Sequence, residues 1–409
     1  KIWLIFIKKE EFEVKKVFKF LFIIILVIGM IFLLKHTALA AGNCAFSVGA
    51  EYSDIDTRDA ALYAQERYSG MGYNSYYSTV PNYSILGGYF QNGTRRLESD
   101  IVFLDGHANN HSIVFPGCGL QIGGKDGGFY WGTDNFNWRN VKLAVLAGCE
   151  TAQYGDSIAY RINWGGATTS VGFIKSASTV AFTQWTKRFN LSLANGKTVN
   201  EAKDYANSFI YLDNRIKSVQ VIGNGNLTLS NSTRNMMNLN EEVVRALVIS
   251  SKESLNIESQ ETITKVEEEI KNNNKLFNSN DYVYEINKTS NDKEEYTIDF
   301  IYKIGDFETN SGYTAFIKAG KLVKILDNTI NIENINKRES FFNNVYQAQK
   351  ESYEKLAKEE VKRKMNNIEI VETKTKFYYD IKSNKKYIVI MVINQYKDAK
   401  SIEEVKYEL

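Results

Sequence analysis

Two stretches decide the fold of this chain: Asp-Ile-Val-Phe-Leu-Asp-Gly-His at residues 100–107, and Val-Lys-Leu-Ala-Val-Leu-Ala-Gly-Cys at residues 141–149. Each contains an apolar run long enough for a buried strand, and each ends at a residue fit for nucleophilic chemistry. Open α/β sheets bind and react at the carboxyl ends of their strands. We therefore expect His107 and Cys149 to emerge at one edge of a sheet, provided that the two strands are neighbours.

Strand and helix patterns alternate around these stretches, from Cys44 to residue 222. The alternation predicts strands at 44–50, 75–80, 100–105, 141–147, 168–173 and 217–222, and helices at 57–69, 156–163, 178–194 and after a capping box at 198–201. Strands that alternate with helices of this length indicate parallel β/α units with helices on both faces. The glycine-rich stretch 117–132 is too long for an ordinary connection, so a small hairpin or a flap is expected there.

The composition changes near residue 232. Both prolines, all cysteines and all tryptophans precede it, and of the 27 glycines only Gly305, Gly312 and Gly320 follow it. The polar segment 231–240 is predicted to link a domain at 41–230 to a separate α+β domain at 241–409. In that second domain we predict helices at 241–251 and 340–366, and strands at 281–288, 295–304, 313–319, 321–327, 368–380 and 386–396. Because helix followed by strands occurs twice, a degenerate duplication is one interpretation.

The first forty residues have the pattern of a signal peptide. A positive region at 15–19 precedes an apolar run at 20–34, and Ala-Leu-Ala at 38–40 matches a small-residue cleavage site. The apolar run is short for a spanning helix, which needs about 20 residues. We expect cleavage after Ala40, with an uncleaved N-terminal anchor as the alternative. The protein is therefore predicted to be secreted or to act at the extracellular cell surface.

Charge and cysteine content narrow the class of partner. The net charge is +2 with Lys and Glu interspersed, so nothing indicates nucleic acid as a partner. Export implies an oxidising exterior, where an odd number of cysteines leaves one thiol over. A disulfide between Cys44 and Cys118 would leave Cys149 free. The alternative is three buried reduced cysteines, because free cysteine is commonly buried.

Cys149 has the surroundings that a nucleophilic cysteine requires. A catalytic thiol must be exposed, partly ionised and close to a base that later protonates the leaving group. Cys149 ends an apolar strand where the chain turns at Glu-Thr-Ala (150–152), and backbone N–H groups at Gly148 and Cys149 are suited to stabilise an oxyanion. His107 ends the strand expected beside it and has a small residue on either side.

The two motifs together resemble the caspase-like cysteine peptidases, a superfamily that includes caspases, gingipains, clostripain and CHAT domains. A strand ending in Gly-His is followed about forty residues later by a strand ending in Ala-Gly-Cys-Glu-Thr-Ala, at 147–152. Gly166-Ala167 before the strand at 168–173, and the stretch 193–202, also resemble CHAT domains. The resemblance spans residues 44–229 and does not reach the C-terminal half.

The resemblance implies a caspase-like, mostly parallel sheet flanked by helices, and a cysteine endopeptidase without a cofactor. Cys149 would be the nucleophile, His107 the general acid and base, and the backbone N–H groups of Ala108, Gly148 and Cys149 the oxyanion site. The chain departs from the family at two positions: Ala108 replaces the Gly that follows the histidine, and Gly148 replaces the Ala that CHAT domains carry before the cysteine. A positive φ at Ala108 would be strained, so the resemblance supports the fold more firmly than the activity.

Acidic residues near the site are candidates for substrate recognition. Members of the family that cut after Arg or Lys use an acidic pocket, and the resemblance suggests three residues for it. Asp54 and Asp56 lie in the loop after the first strand, and Asp156 lies just beyond the cysteine. The alternative for Asp56 is capping of the helix that follows. A peptide or protein is the expected substrate.

Two other functions stay open at this point. The first is a binding protein at the cell surface, with a caspase-like scaffold and an idle dyad, which Ala108 favours. The second is a zinc-dependent hydrolase, because His111 follows His107 by four residues and Cys118 lies seven further on. Zinc motifs with that histidine spacing rely on a helix, whereas these residues lie between strand patterns, so no metal ligand is assigned. For the C-terminal domain we consider cell-surface attachment, partner binding and autoinhibition.

Overall fold

A computed structural model describes residues 43–52, 55–124, 128–229, 245–247, 260–289, 295–330, 344–364, 369–396 and 399–409. The predicted signal peptide, the predicted linker at 231–240 and Asp54 lie outside these residues. Within them, no helix is both long and apolar enough to cross a membrane.

The first half contains ten strands and five α-helices among its described residues. The strands are β1 (Cys44–Val48), β2 (Asn74–Ser78), β3 (Ile101–Asp105), β4 (His107–Ala108), β5 (Ser112–Phe115), β6 (Cys118–Gln121), β7 (Tyr130–Gly132), β8 (Leu143–Ala147), β9 (Thr169–Phe173) and β10 (Val219–Gly223). The helices are α1 (Arg58–Gly70), α2 (Tyr83–Leu86), α3 (Ile158–Trp164), α4 (Thr179–Ala194) and α5 (Val199–Asn207). The capping box predicted at Thr198 is present, with its side chain accepting from Glu201 N–H.

Six of these strands form a parallel-rich sheet in the order β10-β9-β8-β3-β1-β2. Side chains alternate along β3 and β8, so that Phe103 and Val145 face a core shared with α1, α4 and α5, while Leu104 and Leu146 face a core shared with α2 and α3. Helices therefore cover both faces, and the predicted mixed α/β fold is confirmed.

Strand β10 runs antiparallel to β9, whereas every other pair in this sheet is parallel. One crossover helix returns the chain to its starting end and produces a parallel strand. Two helices, α4 and α5, separate β9 from β10, and a second helical pass brings the chain to the opposite end of the sheet. The order of elements in the sequence thus accounts for the exception.

The glycine-rich stretch contributes to a second sheet beside the first. Strands β4, β5 and β6 pair antiparallel and β7 joins β6 in parallel. The hairpin expected within 117–132 lies earlier in the chain, because the antiparallel turn joins β5 to β6. Residues 125–127 lie outside the described part.

The C-terminal half is a β-rich region with two α-helices among its described residues. It contains β11 (Arg245–Leu247), α6 (Gln260–Asn273), β12 (Tyr282–Lys288), β13 (Glu295–Ile304), β14 (Phe307–Lys318), β15 (Lys321–Asp327), α7 (Asn344–Lys364), β16 (Glu369–Asp380), β17 (Lys385–Tyr396) and β18 (Ala399–Glu408). Helix α6 packs on one apolar cluster of strands and α7 on another. The sheet is continuous with that of β4–β7, because Lys400 of β18 is the register partner of Ala108.

The helix predicted at 241–251 is wrong for the three residues described there. Arg245–Leu247 form β11 and pair antiparallel with β15, so tertiary pairing overrides a local helical preference. Sequence analysis also missed α6 and β18. The signal for α6 was present, since Ile263, Val266 and Ile270 follow helical spacing and are buried together.

Candidate active site

The two strands that carry the predicted dyad are neighbours. Strands β3 and β8 pair in parallel, with Asp105 opposite Ala147 as the last register pair. The Gly106 N–H donates to the Ala147 carbonyl oxygen at 3.1 Å, which extends the contact one residue further. His107 and Cys149 each lie two positions beyond that last pair. Both residues therefore leave the sheet at the same edge, and adjacent parallel strands lie only about 4.8 Å apart.

The segments that follow the strand ends are in direct contact. A Cβ built on Gly148 would lie 2.5 Å from the Ala108 Cβ and 2.8 Å from the Gly106 carbonyl oxygen. Ala108 lies in a strand and is not among the described residues with positive φ. The strain anticipated at this position is therefore absent. The Ala108 methyl group instead fills the space that a side chain at position 148 would need.

His107 is held in place by its strand and by an aromatic ring. It is 1% exposed and pairs with Val114 of β5. Its imidazole meets the Tyr52 ring edge to face, with centroids 4.7 Å apart at 88°. The Tyr52 hydroxyl donates to the Val114 carbonyl oxygen at 2.5 Å, which anchors that ring. Gly106 allows this arrangement, because a Cβ there would lie 2.4 Å from the Tyr52 hydroxyl.

Cys149 lies beyond β8 and is only 4% exposed. Burial is the largest influence on its thiol and raises the pKa to about 11. The Ala177 N–H, the nearby Ser176 side chain and the charge of Arg215 act in the opposite direction and lower the pKa. Reactive cysteines have a lowered pKa. Burial outweighs the groups that favour a thiolate, so the pKa of this thiol lies above that of a free cysteine and not below it.

The turn after Cys149 carries strain and is fastened to β9. Glu150 has φ 62°, a left-handed conformation that is rare for a residue with a side chain. The Ser176 hydroxyl donates to its carboxylate at 3.0 Å. Thr151 donates to the Leu146 carbonyl oxygen and accepts from the Phe173 N–H. These bonds fix the direction of the chain at the residue that follows the thiol, and sequence reasoning gave Ser176 no role.

Cys149 opens onto a narrow pocket with a volume of about 10 Å³, the room that one water molecule needs. The first half provides most of its walls: Ile55, Thr57, Asp105, Gly106, Ala147, Cys149, Ala177, Thr179 and Phe182. Ser401 and Ile402 of β18 complete the lining. The C-terminal half thus contributes directly to the surroundings of Cys149.

Asp105 is the acidic residue of this pocket. It is 2% exposed, and its Oδ2 accepts no hydrogen bond from the described residues. Burial raises the pKa of its carboxyl well above the ordinary value. A carboxyl without a partner is costly to bury, so its location in the lining of a pocket is informative. Its signal in the sequence was an acid at the end of an apolar strand, two residues before His107.

Of the acids predicted to recognise substrate, the two that the structure describes, Asp56 and Asp156, do not line the pocket. Asp54 lies outside the described residues. Asp56 accepts from the Arg58 backbone N–H, Nε and Nη2, and the Arg58 guanidinium lowers its pKa. The charge of Asp56 is therefore paired with Arg58, and its carboxylate accepts from the first backbone N–H of α1, although Thr57 is the N-cap residue and makes no side-chain capping bond. Asp156 is exposed in the loop before α3.

The three cysteines are free and buried, which agrees with the alternative and not with a disulfide. Cys44 lies on β1 of the first sheet, where its Sγ accepts from Asn92 Nδ2, whereas Cys118 lies on β6 of the second. Of the two alternatives for these cysteines, the structure therefore has the three free thiols. His111 is exposed in the loop between β4 and β5. In the described part of the chain, no three His, Cys, Asp or Glu side chains converge as a metal site.

The chain matches no protein-family model and no curated protein. Among solved structures, it is similar to the complex of the Porphyromonas gingivalis RgpB pro- and mature domains, at 10% identity and a TM-score of 0.29. That alignment covers 89% of this chain and 68% of the other. A likeness of this size identifies no family, so the residues of the site have to carry the functional argument.

Proposed function

We propose that this protein is a cysteine peptidase that cleaves peptide bonds with Cys149 and His107, and that it is exported by its N-terminal segment. The observation that carries the proposal is the register of β3 and β8, from which both residues leave the sheet two positions beyond one shared pair. Two residues of complementary chemistry at one sheet edge fit nucleophilic catalysis better than two separate structural roles.

In the proposed reaction His107 transfers protons in both the acylation and the hydrolysis step. His107 takes the thiol proton as the Cys149 Sγ attacks the peptide carbonyl carbon, and the carbonyl π electrons move to oxygen. Backbone N–H groups at Ala108 and Cys149 stabilise the oxyanion, whereas the Gly148 N–H, also predicted as a donor, already donates to the Leu146 carbonyl oxygen at 3.1 Å. When the carbonyl re-forms, the C–N bond breaks and His107 protonates the leaving amine. Water, deprotonated by His107, then hydrolyses the thioester and releases the acid and the thiol.

We further propose that the peptidase cuts after a basic residue, with Asp105 rather than Asp54, Asp56 or Asp156 as the recognising acid. A buried carboxyl in an otherwise mainly apolar lining favours a cationic partner, because the partner's charge stabilises the ionised form. A Lys or Arg side chain would supply that charge beside Cys149. This idea depends on the partnerless carboxyl and on its place in the pocket.

The test is hydrolysis of a panel of fluorogenic peptides by the full chain. Cys149→Ala should abolish hydrolysis, while Cys118→Ala, which removes a buried thiol that does not line the pocket, should preserve it. Asp105→Asn should lower kcat/KM for peptides with Lys or Arg before the scissile bond about tenfold or more, and much less for neutral residues. Hydrolysis that survives Cys149→Ala would refute the mechanism, and an unchanged preference in Asp105→Asn would refute the pocket.

The alternative of a catalytically idle binding protein has one observation in its favour. The raised pKa of Cys149 and the narrow pocket describe a site that cannot act as it stands. Both properties arise from burial, and part of that burial comes from β18. A measurement of hydrolysis after β18 has been displaced from the pocket therefore distinguishes the idle binding protein from the peptidase. No described residue favours the zinc-dependent hydrolase.

A further inference from the structure

Strand β18 directs one of its faces toward the first half of the chain. Val405 and Tyr407 pack in the apolar cluster beneath α7. The alternate residues face the other way. The Thr179 hydroxyl donates to the Ile402 carbonyl oxygen at 3.3 Å, and the Ser178 hydroxyl donates to the Glu404 carboxylate at 2.9 Å. The strand therefore rests on the start of α4, beside the pocket of Cys149.

The same strand meets both parts of the proposed catalytic centre. Ser401 and Ile402 line the pocket with Cys149, and Ile402 is only 1% exposed. Lys400 is the register partner of Ala108, whose backbone N–H is the proposed oxyanion donor. A peptide substrate needs an extended path past the thiol, and a pocket of about 10 Å³ cannot admit one. In this conformation β18 occupies the space beside Cys149 that a peptide substrate would need.

We propose that the C-terminal half holds the peptidase in a latent state, with β18 as a cover that must withdraw before a substrate can reach Cys149. The purpose given to this cover rests on the proposed peptidase function. Whether the cover exists depends only on the access of small reagents to the Cys149 thiol. The segment that covers the pocket is 400–404 of the chain itself, and Ile402 lies at the centre of that segment.

The contacts between the halves suit a cover that moves as a unit. Strand β18 pairs with β17 from Ala399 to Glu408, but its described pairing with β4 is limited to Lys400 and Ala108. Withdrawal therefore requires movement of the C-terminal half away from the first half. The remaining contacts include the ion pair of Lys203 with Glu295 and the fully buried pair of Lys217 with Asp299. Movement of the whole half has to break both pairs, which favours the covered state.

The experiment measures the rate at which iodoacetamide alkylates Cys149 in the folded full chain, resolved by mass spectrometry of its peptide. Ile402→Arg puts a large cation where β18 meets the pocket, and Ile402→Ala removes the side chain more gently. We expect both to raise the Cys149 rate, Ile402→Arg by about tenfold or more, which corresponds to about 1.4 kcal/mol in the opening equilibrium. Ile402→Leu, which keeps the volume, should change it little.

Cys44 and Cys118 serve as internal controls, because both are buried in the first half and neither lines the pocket. If all three cysteines become reactive in Ile402→Arg, that variant has unfolded and Ile402→Ala decides. Unchanged Cys149 alkylation in Ile402→Ala, or in a folded Ile402→Arg, overturns the cover. Faster alkylation of Cys149 alone supports it. If alkylation rises and no peptide is hydrolysed, the cover stands and the proposed peptidase function fails.

Discussion

Replacing Gly148 by Ala tests whether the two departures from the caspase-like pattern compensate each other. The family carries Gly after the histidine and CHAT domains carry Ala before the cysteine, whereas this chain has Ala108 and Gly148. The added methyl group in Gly148→Ala would lie 2.5 Å from the Ala108 Cβ. Ala108→Gly removes the opposing methyl group. The two substitutions together therefore move the one Cβ that fits this space from position 108 to position 148.

The magnitude follows from the geometry. Carbon atoms pack at about 3.5–4.0 Å, so Gly148→Ala requires a movement of roughly 1 Å and should destabilise by about 1–3 kcal/mol. Ala108→Gly loses a buried methyl group and gains backbone freedom, and should destabilise by about 1–2 kcal/mol. If the methyl groups compete for one space, the double variant should be more stable than the sum of the singles by about 1–2 kcal/mol. The 2.8 Å approach to the Gly106 carbonyl oxygen remains in the double variant and limits the recovery.

The assay is equilibrium unfolding in denaturant of the wild type, both single variants and the double variant. Gly172→Ala is the matched control, because its Cβ would also be too close to its neighbours, at 2.8 Å from Ala152 and 2.9 Å from Ala159. It shares no such contact with Ala108, so its effect should add to that of Ala108→Gly. Additivity of Gly148→Ala with Ala108→Gly to within about 0.5 kcal/mol would refute the shared space.

Three further predictions concern buried ionisable groups. Lys217→Met leaves the fully buried Asp299 without its ion-pair partner and should destabilise by about 3–5 kcal/mol, measured by chemical unfolding. Burial raises the pKa of Asp105, so this carboxyl ionises at a lower pH in the unfolded chain than in the folded one. The free energy of unfolding of the wild type relative to Asp105→Asn should therefore fall between about pH 4 and pH 7, measured by unfolding at both pH values. With a Cys149 pKa of about 11, wild-type alkylation should keep rising with pH up to that value, and Ile402→Arg should shift the profile to lower pH because water reaches the thiolate.

Each of these has a control and a contrary result. Lys187→Met breaks an exposed pair with Asp59 and should change stability by no more than about 1 kcal/mol; an equal effect of both variants would contradict the role of burial. A difference between wild type and Asp105→Asn that does not vary with pH would mean that the carboxyl is not desolvated. A Cys149 alkylation profile that Ile402→Arg leaves in place would mean that β18 does not shield the thiol.

Much of the first half was predictable, because its elements follow local rules. The strands at 101–105 and 143–147 are uninterrupted apolar runs, and the Thr198–Glu201 capping box marks the start of α5. The C-terminal half was harder. Strand β18 is rich in charged residues and has little apolar periodicity, so it becomes a strand through its pairing with β17. Arg245–Leu247 became a strand for the same reason.

By itself, the sequence determined that His107 and Cys149 each follow an apolar run and that the chain alternates strand with helix, since both properties depend on the residues within each segment. Only the tertiary structure decided what surrounds them. It set Ala108 against Gly148, put Asp105 rather than Asp56 into the pocket, and laid Ile402 across it. These contacts join residues far apart in the chain, and the periodicity of a segment carries no information about which distant segment will cover its end.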